Sequence, residues 1–77
     1  MIDIQVFAGL KNFFPATFNM EQVGSIASLK SHLEQQQPEA AMLLSVSRFA
    51  VNEHFVSLEH LLNNHDKVAI LPPASGG

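Results

Sequence analysis

The sequence contains no cysteine among its 77 residues. That excludes a disulfide framework, a thiolate nucleophile and a zinc–thiolate site. Positive charge is also scarce. The four basic residues, Lys11, Lys30, Arg48 and Lys67, are scattered and form no basic patch, and the formal net charge is −3. Nucleic acid is therefore not an expected partner. No stretch approaches the roughly 20 apolar residues of a membrane span, and no basic segment followed by an apolar run opens the chain. The expected address is the cytoplasm, with no membrane contact. What remains is 47% hydrophobic and 14% charged, the composition of a folded domain. A chain this short makes one domain and buries only about 60% of its unfolded surface, so it can hold one core but has little room for a catalytic cleft.

The apolar pattern gives the order of elements. Ile2, Ile4 and Val6 alternate with Asp3, Gln5 and Phe7, which is strand periodicity. Lys11 to Pro15 reads as a turn or short helical loop. Ala16, Phe18 and Met20 then alternate with Thr17, Asn19 and Glu21 as a second strand, close enough for an antiparallel hairpin. Ser25 can cap a helix, and Ile26, Leu29 and Leu33 fall on one helical face. Pro38 restricts Gln37 to extended geometry and ends that helix. Residues 39–44 fit either a second helical turn or a covered loop, and 39–46 is left open. Ser47 to Asn52 is a third strand, with Phe49 and Val51 on one face and Arg48 and Ala50 on the other. A turn over Asn52 to His54 leads to a very short strand, Phe55-Val56. Leu58, Leu61 and Leu62 are spaced as a helical turn docked on the core. Asn63 to Asp66 forms a turn, Lys67 to Leu71 the last strand, and Pro72-Pro73 ends it. The expected fold is α+β: a β-grasp, ubiquitin-like mixed sheet of four to five strands packed on one main helix. The first and last strands should pair in parallel at the centre. Residues 1–71 form the domain and 72–77 a flexible, extended Gly-Gly tail.

Side chains suited to catalysis are few and dispersed. His54, His60 and His65 lack the i, i+4 spacing of a helical metal pair and read as surface histidines, so no metal site is assigned. Glu53 and Glu59 read as solvated rim charges, and Ser57 has no base arranged beside it. The tail is different. Pro72-Pro73-Ala74-Ser75-Gly76-Gly77 carries no large apolar group. Its six residues can extend up to roughly 20 Å. The prolines hold its first part extended, and glycines without Cβ allow the end to enter a narrow channel. The sequence places an unhindered carboxylate on Gly77. Parity also leaves Phe7, Phe55, Ala69 and Leu71 on the sheet face away from the helix. Phe7, Phe55 and Leu71 there form a candidate apolar docking patch beside the tail root.

Ala50-Val51-Asn52 and the run from Asp66 through Lys67-Val68-Ala69-Ile70-Leu71-Pro72-Pro73 to Gly77 resemble the C-terminal half of the MoaD/ThiS family of ubiquitin-like sulfur carriers. Phe7-Ala8-Gly9-Leu10-Lys11 looks like the family's first strand and the turn after it. The likeness covers nearly the whole chain. Pro-Pro before the final small residues looks more like the molybdopterin branch, MoaD, than the thiamine branch. One departure is the turn before the last strand, where the family's Asp-Gly-Asp reads Asn64-His65-Asp66. His65 then needs a left-handed backbone.

The resemblance implies a carrier subunit of molybdopterin synthase without catalytic side chains of its own. An E1-like activating enzyme would use ATP to adenylate Gly77. A sulfur-donor protein would convert it to a thiocarboxylate. The tail, threaded through Gly76, would deliver sulfur to a pyranopterin in the large catalytic subunit, as part of a heterotetramer. Phe7, Phe55, Leu71, Pro72, Pro73, Ala74 and Ser75 would contact partners. No cofactor would be bound permanently, the sulfur being carried covalently on Gly77. Other readings are a thiamine-branch carrier, a ubiquitin-like protein modifier, and a β-grasp interaction module.

Overall fold

The computed structural model describes residues 1–21 and 23–73. The alternating segment at the start forms β1 (Ile2–Val6). A 3-10 turn over Ala8–Asn12 follows and leads into β2 (Thr17–Met20). Helix α1 spans Ile26–Gln36. Next come a 3-10 turn at Pro38–Ala40 and the short helix α2 (Ala41–Ser45). Strands β3 (Arg48–Val51), β4 (His54–Val56) and β5 (Lys67–Leu71) complete the fold.

The five strands form one sheet in the order β2-β1-β5-β3-β4. β1 is antiparallel to β2 and parallel to β5, which is antiparallel to β3. The last strand is therefore the middle one, as the sequence leads one to expect. One sheet face presents Ile2, Ile4, Val6, Val68, Ile70, Phe49 and Val51. Buried Ile26, Leu29 and Leu33 of α1 pack against them, with Leu10, Ala40 and Leu44 closing the core. Ala40 and Leu44 come from the segment left open by sequence, which proves to be the second helical turn. Gln37 breaks the helix before it with φ −135° and ψ 83°, the extended geometry that a following proline imposes.

The start of α1 explains one correction. Leu58, Leu61 and Leu62 do not form a docked helical turn. Leu58 is 45% and Leu61 71% exposed, and Leu62 alone of the three packs partly against the core. The first amides of a helix have no partner within it. Here Ile26 N donates to His60 O at 3.0 Å and Ala27 N to Leu58 O at 2.8 Å. The Ser25 hydroxyl accepts from Ser28 N at 3.1 Å, and Leu62 N donates back to Gly24 O at 2.9 Å. The leucine segment lends its carbonyls to the helix start, which holds it in a non-helical path.

Candidate functional site

Strand β5 has a ladder on each side, so its end is fixed relative to the body of the fold. Val68 and Ile70 are buried in the core. The alternate residues Lys67, Ala69 and Leu71 face the other way. Leu71 and Pro72 are half-buried and Pro73 is exposed. Ala74, Ser75, Gly76 and Gly77 lie outside the described residues.

The open face around this root is built by register. Ala69 pairs with Gln5 of β1 and with Ala50 of β3, and Ala50 pairs with Phe55 of β4. Leu71 pairs with Arg48. Two alanines at the centre therefore make a shallow floor between larger side chains. Phe55 is 55% exposed. Phe7 is half-buried, at the point where β1 gives way to the 3-10 turn, and its carbonyl accepts from Leu10 N at 3.2 Å. Phe55 and Leu71 thus share the face away from α1 by register, with Phe55 the more accessible, while Phe7 lies just past the end of β1. Sequence reasoning placed Arg48 on this face but gave it no role. Its guanidinium lies over the Phe55 ring, 3.7 Å from the centroid. The available signal was that Arg48, Ala50, Leu71 and Phe55 share one parity.

At the other end of β5 a hydrogen-bonded knot fixes where the strand begins. Asn52 Nδ2 donates to Asp66 Oδ1 at 3.0 Å, and Asn52 Oδ1 accepts from Lys67 N at 3.0 Å. Asn63 N donates to Asp66 Oδ2 at 2.8 Å. The amide of Asn63 holds the Asp66 carboxyl below the ordinary aspartate range. Partial burial opposes this, while the Asn52 side chain and the charge of His60 add to it. Asn52 and Glu53 turn the β3–β4 hairpin with φ of 50° and 74°, and His65 has φ 73°. His65 thus adopts the left-handed backbone that its place in the turn demands. Among the described residues no three His, Asp or Glu side chains converge on a metal-sized site. His54, His65, Glu53, Glu59 and Ser57 are exposed. No described helix is long and apolar enough to cross a membrane.

A helix packed on a mixed sheet, with the first and last strands parallel at its centre and the last one running out past an apolar face, defines a ubiquitin-like β-grasp protein. The chain belongs to the ThiS family, whose family model matches residues 4–77. It is similar to the molybdopterin synthase sulfur carrier subunit of Escherichia coli (strain K12), at 31% identity over 81 aligned residues covering 100% of both chains. Its fold is similar to that in the protein–protein complex of subunits 1 and 2 of molybdopterin-converting factor from Helicobacter pylori 26695. There the TM-score is 0.72 and the identity 23%, over 99% of this chain and 97% of that one. It is also similar to small archaeal modifier protein 1 from Methanosarcina acetivorans, with TM-score 0.79 and 22% identity over 99% and 95% of the two chains.

Proposed function

We propose that this protein is the sulfur-carrier subunit of a molybdopterin synthase. The observation that carries the reading is the path of β5: a central strand, held on both sides, ends at an apolar face and runs into Pro72-Pro73, with Gly76-Gly77 a few residues on. Similarity to the E. coli carrier along both full chains places the molybdopterin branch ahead of the thiamine branch.

A carboxylate is a poor electrophile. Attack of the Gly77 carboxylate on the α-phosphorus of ATP, in the site of an E1-like activating enzyme, releases pyrophosphate and leaves an acyl-adenylate. Hydrosulfide delivered by a donor protein then adds to the acyl carbon, expels AMP and loses its proton, and the terminus becomes a thiocarboxylate. Residues 1–71 act as a rigid body that docks through Phe7, Phe55 and Leu71. Residues 72–77 act as the arm. Pro72 and Pro73 keep it extended, Ala74 and Ser75 are small enough to follow a channel wall, and Gly76 admits backbone where a Cβ would collide. In the large catalytic subunit the thiocarboxylate sulfur bonds to a pyranopterin, and water hydrolyses the acyl–sulfur bond, which leaves the sulfur on the pterin and returns Gly77 as a carboxylate. Catalytic side chains and ATP belong to the partners, and the carrier holds no resident cofactor. The cycle runs in the cytoplasm within a heterotetramer.

The test is intact-mass analysis after incubation with ATP, the activating enzyme and a sulfur donor. One oxygen should be replaced by sulfur, and fragmentation should locate it on Gly77. Sulfur attached only at another residue would overturn the proposal. Isopeptide conjugates to target lysines, with no thiocarboxylate formed, would favour a protein modifier.

A further inference from the structure

We propose that Arg48 is the ionic anchor of the docking face, and that it receives an aspartate or glutamate side chain of the protein that accepts the tail. The inference rests on the reading of the open face as a docking surface. Arg48 stands opposite Leu71 in the β3–β5 ladder, and Leu71 directly precedes Pro72. The strand that carries Arg48, β3, lies between β5, which ends at the tail root, and β4, and the Arg48 guanidinium lies over the ring of Phe55, the most exposed aromatic of the face, 3.7 Å from the centroid. No partner surface can cover that ring without also covering the cation.

Covering it strips water from a full charge, which is strongly unfavourable unless a counter-charge replaces the water. None of the described residues supplies one. Among the described residues the single ion pair is Lys30–Glu34 at 2.7 Å, on α1 and hence on the opposite side of the sheet. Lys67, the other cation of the open face, stands in register beside Asp3, whereas Arg48 stands beside apolar Leu71. The anion must therefore come from the partner. A carboxylate matches the planar guanidinium fork with two parallel hydrogen bonds. Contact with Phe55 holds the fork in place before binding, so less side-chain freedom is lost when the pair forms. An apolar patch alone accepts many covers. A buried cation within it rejects those that lack an acceptor, which is specificity by penalty. With a net charge of −3, the chain as a whole repels an acidic partner, so this attraction operates at contact range.

The test measures affinity of the full chain for the large molybdopterin synthase subunit of the same organism, by calorimetry at low and high ionic strength. Arg48→Ala and Arg48→Lys are compared with wild type, Phe55→Ala serves as the control for the face, and circular dichroism confirms folding. Arg48→Ala should weaken binding about tenfold or more at low salt and flatten the salt dependence. Arg48→Lys should recover only part, because it lacks the fork. Converting the partner's facing carboxylate to its amide should weaken wild type and add nothing to Arg48→Ala. Unchanged affinity of Arg48→Ala beside a loss in Phe55→Ala overturns the ionic anchor and leaves the docking face standing. Unchanged affinity in both removes the docking face itself. Weakened binding with undiminished salt dependence reduces Arg48 to packing for Phe55 and also overturns the proposal. So does Arg48-dependent binding of ATP to the free chain, which would assign the cation to a nucleotide phosphate.

Discussion

At the scale of single residues, exposure separates docking from folding. Phe55 is 55% exposed on the strand farthest from β1 and β2, so Phe55→Ala removes little from the core. Its loss should cost on the order of 2 kcal/mol of partner binding while the thermal midpoint moves by no more than a few degrees. A steep fall in the melt with unchanged affinity of the folded fraction would make Phe55 a structural residue. Asp66 shows a residue whose charge serves the fold. Its carboxyl is held low by the amide of Asn63 and by Asn52, so the unfolded chain takes up that proton first as the solution is acidified. The stabilisation is complete above about pH 4 and fades as pH drops through the folded value. Denaturant titrations across that range should show a smaller acid-induced loss of stability for Asp66→Asn than for wild type; equal losses would show that the knot around Asp66 contributes nothing to acid sensitivity.

At the scale of elements, what could be read from the sequence was what each segment settles for itself. Ile2-Ile4-Val6 alternate, and Ile26-Leu29-Leu33 recur at helical spacing, because one face of each meets the core. Pro38 stops α1 through its own ring, and His65 takes the left-handed turn its position requires. The leucines at 58, 61 and 62 were misread because their path is set elsewhere, by the free amides of Ile26 and Ala27 that need the carbonyls of His60 and Leu58. Spacing carries no trace of such a tertiary demand. Residues 39–44 stayed open for a related reason: their pattern is too short for periodicity to choose, and burial of Ala40 and Leu44 under α1 decides it. On the open face, parity placed Phe55 and Leu71 together, but the contact between Arg48 and Phe55 needs two strands in register. Leu61→Ser and Leu62→Ala test the corrected segment. The first, at a site 71% exposed, should change stability by less than about 0.5 kcal/mol, and the second by more. A larger loss from Leu61→Ser in chemical denaturation would restore a docked helical turn.

At the scale of the whole molecule, the proposed function depends on reach from a fixed body. Adding one residue after Gly77 shifts the carboxylate by about 3.5 Å, beyond the tolerance of a reacting geometry. Circular dichroism of that extended form should match wild type while sulfur transfer fails. Gly76→Val should keep partial affinity through the sheet face but lose adenylation and transfer. Full turnover by the extended form, with the extra residue still attached by mass, would take the carboxylate out of the mechanism. The position of β5 has a mechanical side as well. A carrier whose end is gripped in a channel is tugged each time it disengages. β1 and β5 run parallel, so a pull between the start of the chain and its tail loads their ladder in shear, with the bonds resisting together while β3 braces β5 from the other side. The edge strand β4, held by β3 alone, would instead peel open bond by bond. Single-molecule pulling between residues 1 and 77 should therefore need a higher rupture force than pulling between residues 1 and 55, and equal forces would show that the central strand confers no such grip. By this geometry the chain leaves the sheet from a strand braced on both sides, and under the proposed function that bracing would let the carrier be withdrawn from its partner and reloaded without unravelling.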